Sequence, residues 1–572
     1  MTIERDSLYK SNRIARYSIS MLLVTAIAVS LFSLYLVWTL HWAGPFRDLW
    51  EFIPEIENQF QGKWQWHYLI EAYGGAHRIF LPKLLFFADW YWLGGQNLLT
   101  IAVSITCQLI YLHLILMNAA KEAVYEQWDK RLIAATFILA LFSTTQVSNF
   151  LYAMDVQWFM SNLLALSALL TLVNNPEKPL RFIAIGILAA LCNFTGLMSI
   201  VTGTIWLITQ NPRKPTHWGI VLISVIVSGI YVTNPQTTQH VVIQSLHQAE
   251  DIQTILHVFA GTIAHIIIYS LRYLASPLSR EWPWLGALLS LSAILIIVRY
   301  WLLCFQNRLS RFQNLCLLIA STIVLSALAT AFGRIIYPNS AIAERYQTLV
   351  LPLFPALIGL VLPNLKTIKP FSTITLIPVL FAFYLLPAQL PAASAIEILS
   401  NRVQLAHTAA RSGAVEMPYV GSTLSHPLAT NNINMVKLSD PFLRQNRLGY
   451  FNPDREVQIG SAWKSEIGDI PACSQNIQAS LDDITQSWTI HGNISIKTLF
   501  PERFILVKQS VVVGFGLAVR PEGFLLPLRL LTEDKRFFRA FATLDNAPAT
   551  SQISLVGQHN NQTVCQQAVL LN

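Results

Sequence analysis

The residues best suited to chemistry lie between His41 and Trp92. The segment reads HWAGPFRDLWEFIPEIENQFQGKWQWHYLIEAYGGAHRIFLPKLLFFADWYW and holds six of the chain's 16 tryptophans. Interleaved with the rings are Asp48, Glu51, Glu55, Glu57, His67, Glu71, His77 and Arg78. A carboxylate in a partly dry, aromatic-lined pocket makes a good general base, and indole faces suit sugar rings. Asp48 and Glu51 are three residues apart, so a helix puts them on one face. There they could hold a divalent metal ion such as magnesium or manganese, or one could act as base while the other positions the substrate. The competing reading is an interfacial belt of Trp and Tyr with solvated loop charges, in which an acidic pair at this spacing is unremarkable.

Other polar residues carry similar alternatives. His77-Arg78 stands where the segment re-enters an apolar stretch. The planar fork of Arg78 suits a lipid phosphate or an ordinary headgroup. Arg334 and Arg345-Tyr346 bracket a loop with Pro338 and Asn339. A phosphate donor would explain two arginines there, and Glu344 is the simpler partner. Asp155 and Gln157 could bind sugar hydroxyls or cap the next helix. Asn193 fits a backbone-satisfying role at a helix break. Lys83 and Asp89 read as a helix-edge pair facing headgroups.

These residues need a scaffold, and the composition says which kind. Of the 572 residues only 12% are charged and 53% are hydrophobic, with mean hydropathy +0.46. Soluble domains carry roughly 25% charged residues, so an ordinary soluble enzyme and a disordered chain are both excluded. The net charge of +8 serves orientation, because Lys and Arg stay on the cytoplasmic side; nucleic-acid binding is not implied. A membrane span needs about 20 apolar residues. Such runs occur at 18–40, 97–118, 132–147, 157–174, 182–210, 217–233, 254–275, 284–304, 314–332, 347–363 and 371–388. They predict a mainly α polytopic bundle of about 11 crossings. The 182–210 run, interrupted by Asn193, Thr195 and Gly196, reads as two short helices meeting at a break. Arg5, Lys10, Arg13 and Arg16 place the N-terminal tail, 1–17, in the cytoplasm and segment 41–92 outside.

The membrane region thus spans 18–388, and 389–419 reads as a juxtamembrane helix or linker. From 420 to 572 the composition is that of a soluble domain. Runs at 487–497, 503–519, 537–544 and 552–557 predict a small antiparallel β-sandwich outside the membrane. Cys473 and Cys565 bracket this region. Pairing them would close its ends in an oxidising compartment; the alternative is two unrelated thiols. No P-loop, GxGxxG, HExxH or CxxC pattern occurs, which favours a lipid-linked donor over a nucleotide sugar.

An external Asp soon after the first crossing, then an acidic residue and a His-Arg pair leading into an apolar stretch, resembles bacterial GT-C type membrane glycosyltransferases. More narrowly it resembles a group of large bacterial multi-pass membrane proteins. GAHRIFLPKLLFFADWYWLGGQN, YAMDVQWFMSNLLALSALL (152–170), FTGLMSIVTGTIWL (194–207), ATAFGRIIYPNSAIAERYQTL (329–349), SDPFLRQNRLGYF (439–451) and the tail ending in TVC carry the likeness. The resemblance implies transfer of a sugar from a polyprenyl-phosphate donor to a glycan, lipid or protein acceptor on the outer face of the cytoplasmic membrane. It makes Asp48 the candidate base, with Glu51, Glu71, His77, Arg78, Gln157, Arg334, Arg345 and Tyr346 as candidates for substrate binding. Many such enzymes show two adjacent acids where this chain has Arg47-Asp48 and then Glu51, which leaves metal dependence open. A transporter, flippase or polymerase of lipid-linked glycans, or a non-catalytic glycan-binding scaffold, are the alternatives. The absence of an obvious repeat or mid-membrane charges weighs against translocation.

Overall fold

The computed structural model describes residues 2–71, 78–232, 252–280, 282–334, 338–365, 370–414, 430–451, 461–463, 470–482, 487–494, 501, 503–519, 537–543, 552–559 and 562–571. Its main helices are α1 (Thr2–Leu40), α2 (Ile53–Phe60), α3 (Phe80–Leu93), α4 (Leu98–Lys121), α5 (Gln127–Leu141), α6 (Val156–Asn174), α7 (Pro179–Ala190), α8 (Phe194–Gln210), α9 (Pro215–Val232), α10 (Ile252–Leu274), α11 (Pro283–Phe305), α12 (Arg311–Gly333), α13 (Leu353–Leu365), α14 (Pro370–Arg411) and α15 (Thr430–Gln445). Among the described residues, eight helical stretches are long and apolar enough to cross a membrane: Ala15–Leu40, Leu98–Lys121, Gln127–Leu151, Ala153–Asn174, Pro283–Phe305, Arg311–Gly333, Glu344–Leu365 and Leu380–Arg411. The expected runs at 182–210, 217–233 and 254–275 are not among them. The first is split into α7 and α8, and α9 is one of the shorter apolar helices.

Contacts divide the chain into two compact units. The first comprises Met1–Thr39, Trp66–Leu85 and Thr100–Ala393. Its helices differ in how much apolar surface they bury. Only 33% of the Ala15–Leu40 window is buried against 83% of Gln127–Leu151. Met21, Val24, Leu31, Tyr35 and Trp38 of α1 stay exposed, a surface that suits lipid rather than water.

Two breaks interrupt the helical backbone of this unit, and polar side chains repair both. Asn193 is extended and its side chain accepts the Thr195 N–H at 3.1 Å, capping α8. At Gly196 a Cβ would lie 2.2 Å from the Ala189 carbonyl carbon, so only glycine allows α7 and α8 to meet there. The second break follows α5. Gln108 and Gln146 donate to the Leu141 carbonyl at 3.3 and 3.2 Å, and Gln389 accepts the Thr144 N–H at 2.8 Å. An unsatisfied backbone group in hydrocarbon costs several kcal/mol, which accounts for glutamines in otherwise apolar helices.

The second unit comprises Leu40–Gln65, Phe86–Leu99 and Ser394–Asn572. Its sheet has strands β1 (Ser474–Asp482), β2 (Ser487–Ile494), β3 (Arg503–Lys508), β4 (Val511–Val519), β5 (Phe537–Thr543), β6 (Gln552–His559) and β7 (Gln562–Leu570). All pairings are antiparallel, in the order β1-β2-β5-β4-β3-β6-β7. The seven described strands therefore form one sheet, whereas the expected sandwich has two. β3 and β4 are joined by Gln509 and Ser510, both at positive φ (49° and 64°), as a type I′ hairpin requires. One face buries Trp488, Ile490, Phe504, Leu506, Phe538 and Leu555, and the other buries Ile505, Val512, Phe515 and Val556. The two edge strands are tied together. Cys473, next to β1, is disulfide-bonded to Cys565 of β7 with the Cα atoms 5.0 Å apart, and the Ser474 N–H donates to Gln567 at 2.8 Å. The sheet thus curls like a half-barrel, with its two edge strands tied at one point.

Candidate active site

In the second unit, segment 41–60 presents the acidic pair. Phe46 is extended and Arg47 has φ +50°, a left-handed conformation that costs a non-glycine residue about 1–2 kcal/mol. From there Arg47–Phe52 forms a 3-10 helix that runs into α2, with Pro54 in the first turn. Side chains three apart eclipse in a 3-10 helix, so Asp48 and Glu51 lie above one another. Leu49, Trp50, Phe52, Ile53 and Ile56 face inward and are buried, while Asp48 is half-buried and Glu51 exposed. Although Glu51 keeps solvent on one side, crowding strips part of its hydration and the Asp48 charge adds to that effect. Together they raise the Glu51 carboxyl from 4.5 to about 7.

The turn is held from behind by residues far along the chain. The Gly449 N–H donates to the Gly94 carbonyl at 2.7 Å, and the Gly44 N–H donates to Gly95 at 2.8 Å. A Cβ on Gly449 would sit 2.9 Å from the Gly44 Cα. Tyr450 lies 6.4 Å from the buried Trp50 ring and stacks on His407 at 4.7 Å. Its hydroxyl donates to Asp440 at 3.4 Å, and Arg444 pairs with Asp440 at 3.2 Å. Burial pushes the Asp440 carboxyl above the usual range, with Arg444 pulling partly against it. The 439–451 motif therefore has a concrete role: it braces the acidic turn. Sequence reasoning missed Asp440, Arg444 and His407, although the Asp-Arg spacing of four was a usable signal.

Asp89 also serves this brace. Its two oxygens accept the Asn97 and Leu99 N–H groups, each at 2.8 Å, and Asn97 donates to the Gly44 carbonyl at 2.9 Å. In the first unit, Lys83 donates to the carbonyls of Tyr68 and Glu71. Both residues are only 1% exposed. The expected headgroup-facing pair is thus corrected: each charge is buried and satisfied by backbone, because helix ends nearby leave N–H and C=O groups without partners.

The remaining candidates belong to the first unit. Glu71 is exposed and pairs with His67 at 3.6 Å. Arg78 is half-buried, and His77 lies outside the described residues. Gln157 accepts from Asn193 at 2.6 Å, and Asp155 accepts the Trp158 indole N–H at 2.9 Å; both support helix packing, and Asp155 makes no side-chain cap. Arg334, Arg345 and Tyr346 come together. Tyr346 is buried, 5.1 Å from Tyr273 and 6.0 Å from Trp158, with the Arg345 guanidinium 5.3 Å from its ring. Arg334 interacts electrostatically with Tyr269, whose hydroxyl is 3.0 Å from Ser340. Glu344 pairs with Arg280 at 3.2 Å.

No family model, curated protein or solved structure matches the chain. Among the described residues no three His, Cys, Asp or Glu side chains gather as metal ligands. The Asp48–Glu51 pair supplies only two carboxylates, which leaves metal dependence without a gathered ligand set among the described residues.

Proposed function

We propose that the protein is a GT-C-like glycosyltransferase of the bacterial cytoplasmic membrane, with its N-terminus in the cytoplasm, about 11 crossings and its sheet domain outside. Its donor is a polyprenyl-phosphate-linked sugar and its acceptor a hydroxyl-bearing glycan, lipid or protein. What supports this reading is geometric: Asp48 and Glu51 are eclipsed on a 3-10 turn beside buried Trp50 and Phe52, where partial burial and the Asp48 charge raise the Glu51 carboxyl. A base with a pKa near the working pH is the most effective proton acceptor. Glu51 takes the acceptor hydroxyl proton. The acceptor oxygen attacks the anomeric carbon, and the bond from that carbon to the phosphate oxygen breaks with its electron pair leaving on the phosphate. Asp48, the base implied by family resemblance, acts in this scheme as the charge that raises Glu51.

Within the first unit, Arg280, Arg334 and Arg345 are suited to a lipid phosphate, since guanidinium binds phosphate bidentately. The disulfide fits an oxidising exterior. The test is transfer from a polyprenyl-phosphate sugar by the purified protein in nanodiscs, compared between wild type and Glu51→Gln. Full activity in a well-folded Glu51→Gln protein excludes Glu51 as base. Absence of transfer with every polyprenyl-linked donor tried, alongside donor movement across the bilayer, replaces the reading with a flippase.

A further inference from the structure

One cavity is remote in sequence from the acidic turn and lies wholly within the first unit. Its volume is about 270 Å³, near the lower end of small-ligand sites, which run roughly 300–1,000 Å³. Three helix ends build it. α4 supplies Asn118 and Lys121, α6 ends in Asn174, and α12 begins with Arg311.

The polar half of this cavity is cationic. Lys121 and Arg311 both line it, and neither makes an ion pair among the described residues. Its one carboxylate, Glu122, is engaged in accepting the Phe312 N–H at 2.9 Å, the first turn of α12. Part of the Lys121 charge complements the carbonyls at the end of its own helix. Arg311 is exposed at a helix start, where a cation is unfavourable, and the Glu122 carboxylate binds that same start through the Phe312 N–H. The remaining wall is apolar, from Leu170, Val173 and Leu315.

We propose that this cavity binds a phosphate group between Lys121 and Arg311. The two cations neutralise the anion, and Asn118 and Asn174 add amide donors to the polar half. The same chemistry has two sources. An anionic lipid would lay its chain on the Leu170–Val173–Leu315 wall, and a soluble pyrophosphate would use the polar half alone. The assignment is independent of glycosyl transfer.

The test uses the full chain purified in detergent. Inorganic pyrophosphate is titrated by calorimetry. In parallel, retention of phosphatidylglycerol against phosphatidylcholine from mixed vesicles is read by native mass spectrometry. Lys121→Gln/Arg311→Gln is compared with Arg308→Gln, an exposed cation outside the cavity. The expected result is at least a tenfold loss of one probe in the double variant and retention in Arg308→Gln. Loss of pyrophosphate identifies a soluble ligand, and loss of phosphatidylglycerol a lipid; either supports the site. Binding of neither probe by the wild type, or equal weakening by Arg308→Gln, overturns it. If the double variant does not fold, the single variants are read in the same way, each with at least a threefold loss.

Discussion

The acidic turn and the arginine–tyrosine cluster are two answers to one problem, the placement of charge in a charge-poor chain. At the turn, Asp48 and Glu51 eclipse each other, so one negative charge raises the proton affinity of the other. In the cluster, Arg280 pairs with Glu344, Arg345 lies over the Tyr346 ring, and Arg334 interacts with Tyr269. Like charges brought together make a group that wants a proton, whereas guanidinium groups beside rings are held by the ring faces and by their ionic partners. Under the proposed function the first arrangement would serve proton transfer and the second, in the other unit, a lipid phosphate, so substitutions in the two should leave different kinetic signatures.

The largest effect is expected from Glu51→Gln. Loss of a general base typically removes about 10²–10⁴-fold in rate, and it should fall on kcat with little change in KM for the donor. Arg345→Ala should behave in the opposite way. Removing a charge-assisted hydrogen bond costs about 1.5–3 kcal/mol, expressed as a rise in donor KM. If steady-state kinetics show both variants losing kcat alone, the division of labour between the two regions is wrong.

The sequence made some of this arrangement readable and hid the rest for identifiable reasons. The break at Asn193 was visible because Asn, Thr and Gly together interrupt an apolar run, and each proved to have a backbone role there. The run 503–519 conceals a hairpin, since the turn uses Gln509 and Ser510 where glycine or asparagine would have signalled it. β1 and β7 escaped notice because SQNIQASLD and QTVCQQAVL are edge strands rich in polar residues. Alternation tells which face of a strand is buried, and it does not tell whether strands join one sheet or two. The acidic pair was legible from its spacing, while its brace was not: Gly449 and Tyr450 lie about 400 residues downstream of Gly44, beyond any local pattern.

That brace supplies the next prediction. Gly449 has φ +57° and no room for a Cβ beside Gly44. Gly449→Ala should cost about 1–2 kcal/mol from the left-handed conformation alone, with a further cost from displacing the 44–48 backbone. A thermal melt reads the stability loss, and kcat should fall with donor KM unchanged. An equal change in KM would mean that the turn, too, contacts the donor.

The smallest effect is a shift in pH dependence, and it is the most discriminating. Glu51 must be ionised to accept a proton, so kcat should rise with pH through a midpoint near 7. Two causes raise that midpoint, partial dehydration first and the Asp48 charge second. Asp48→Asn removes only the second. The limb should therefore move to lower pH, stopping between the ordinary 4.5 and about 7, and the maximal rate should fall modestly because a less basic carboxylate is a weaker acceptor. Were Asp48 itself the base, the same substitution would abolish the rate at every pH and leave no limb to move. A pH profile of the Asp48→Asn protein thus separates the base from the residue that tunes it.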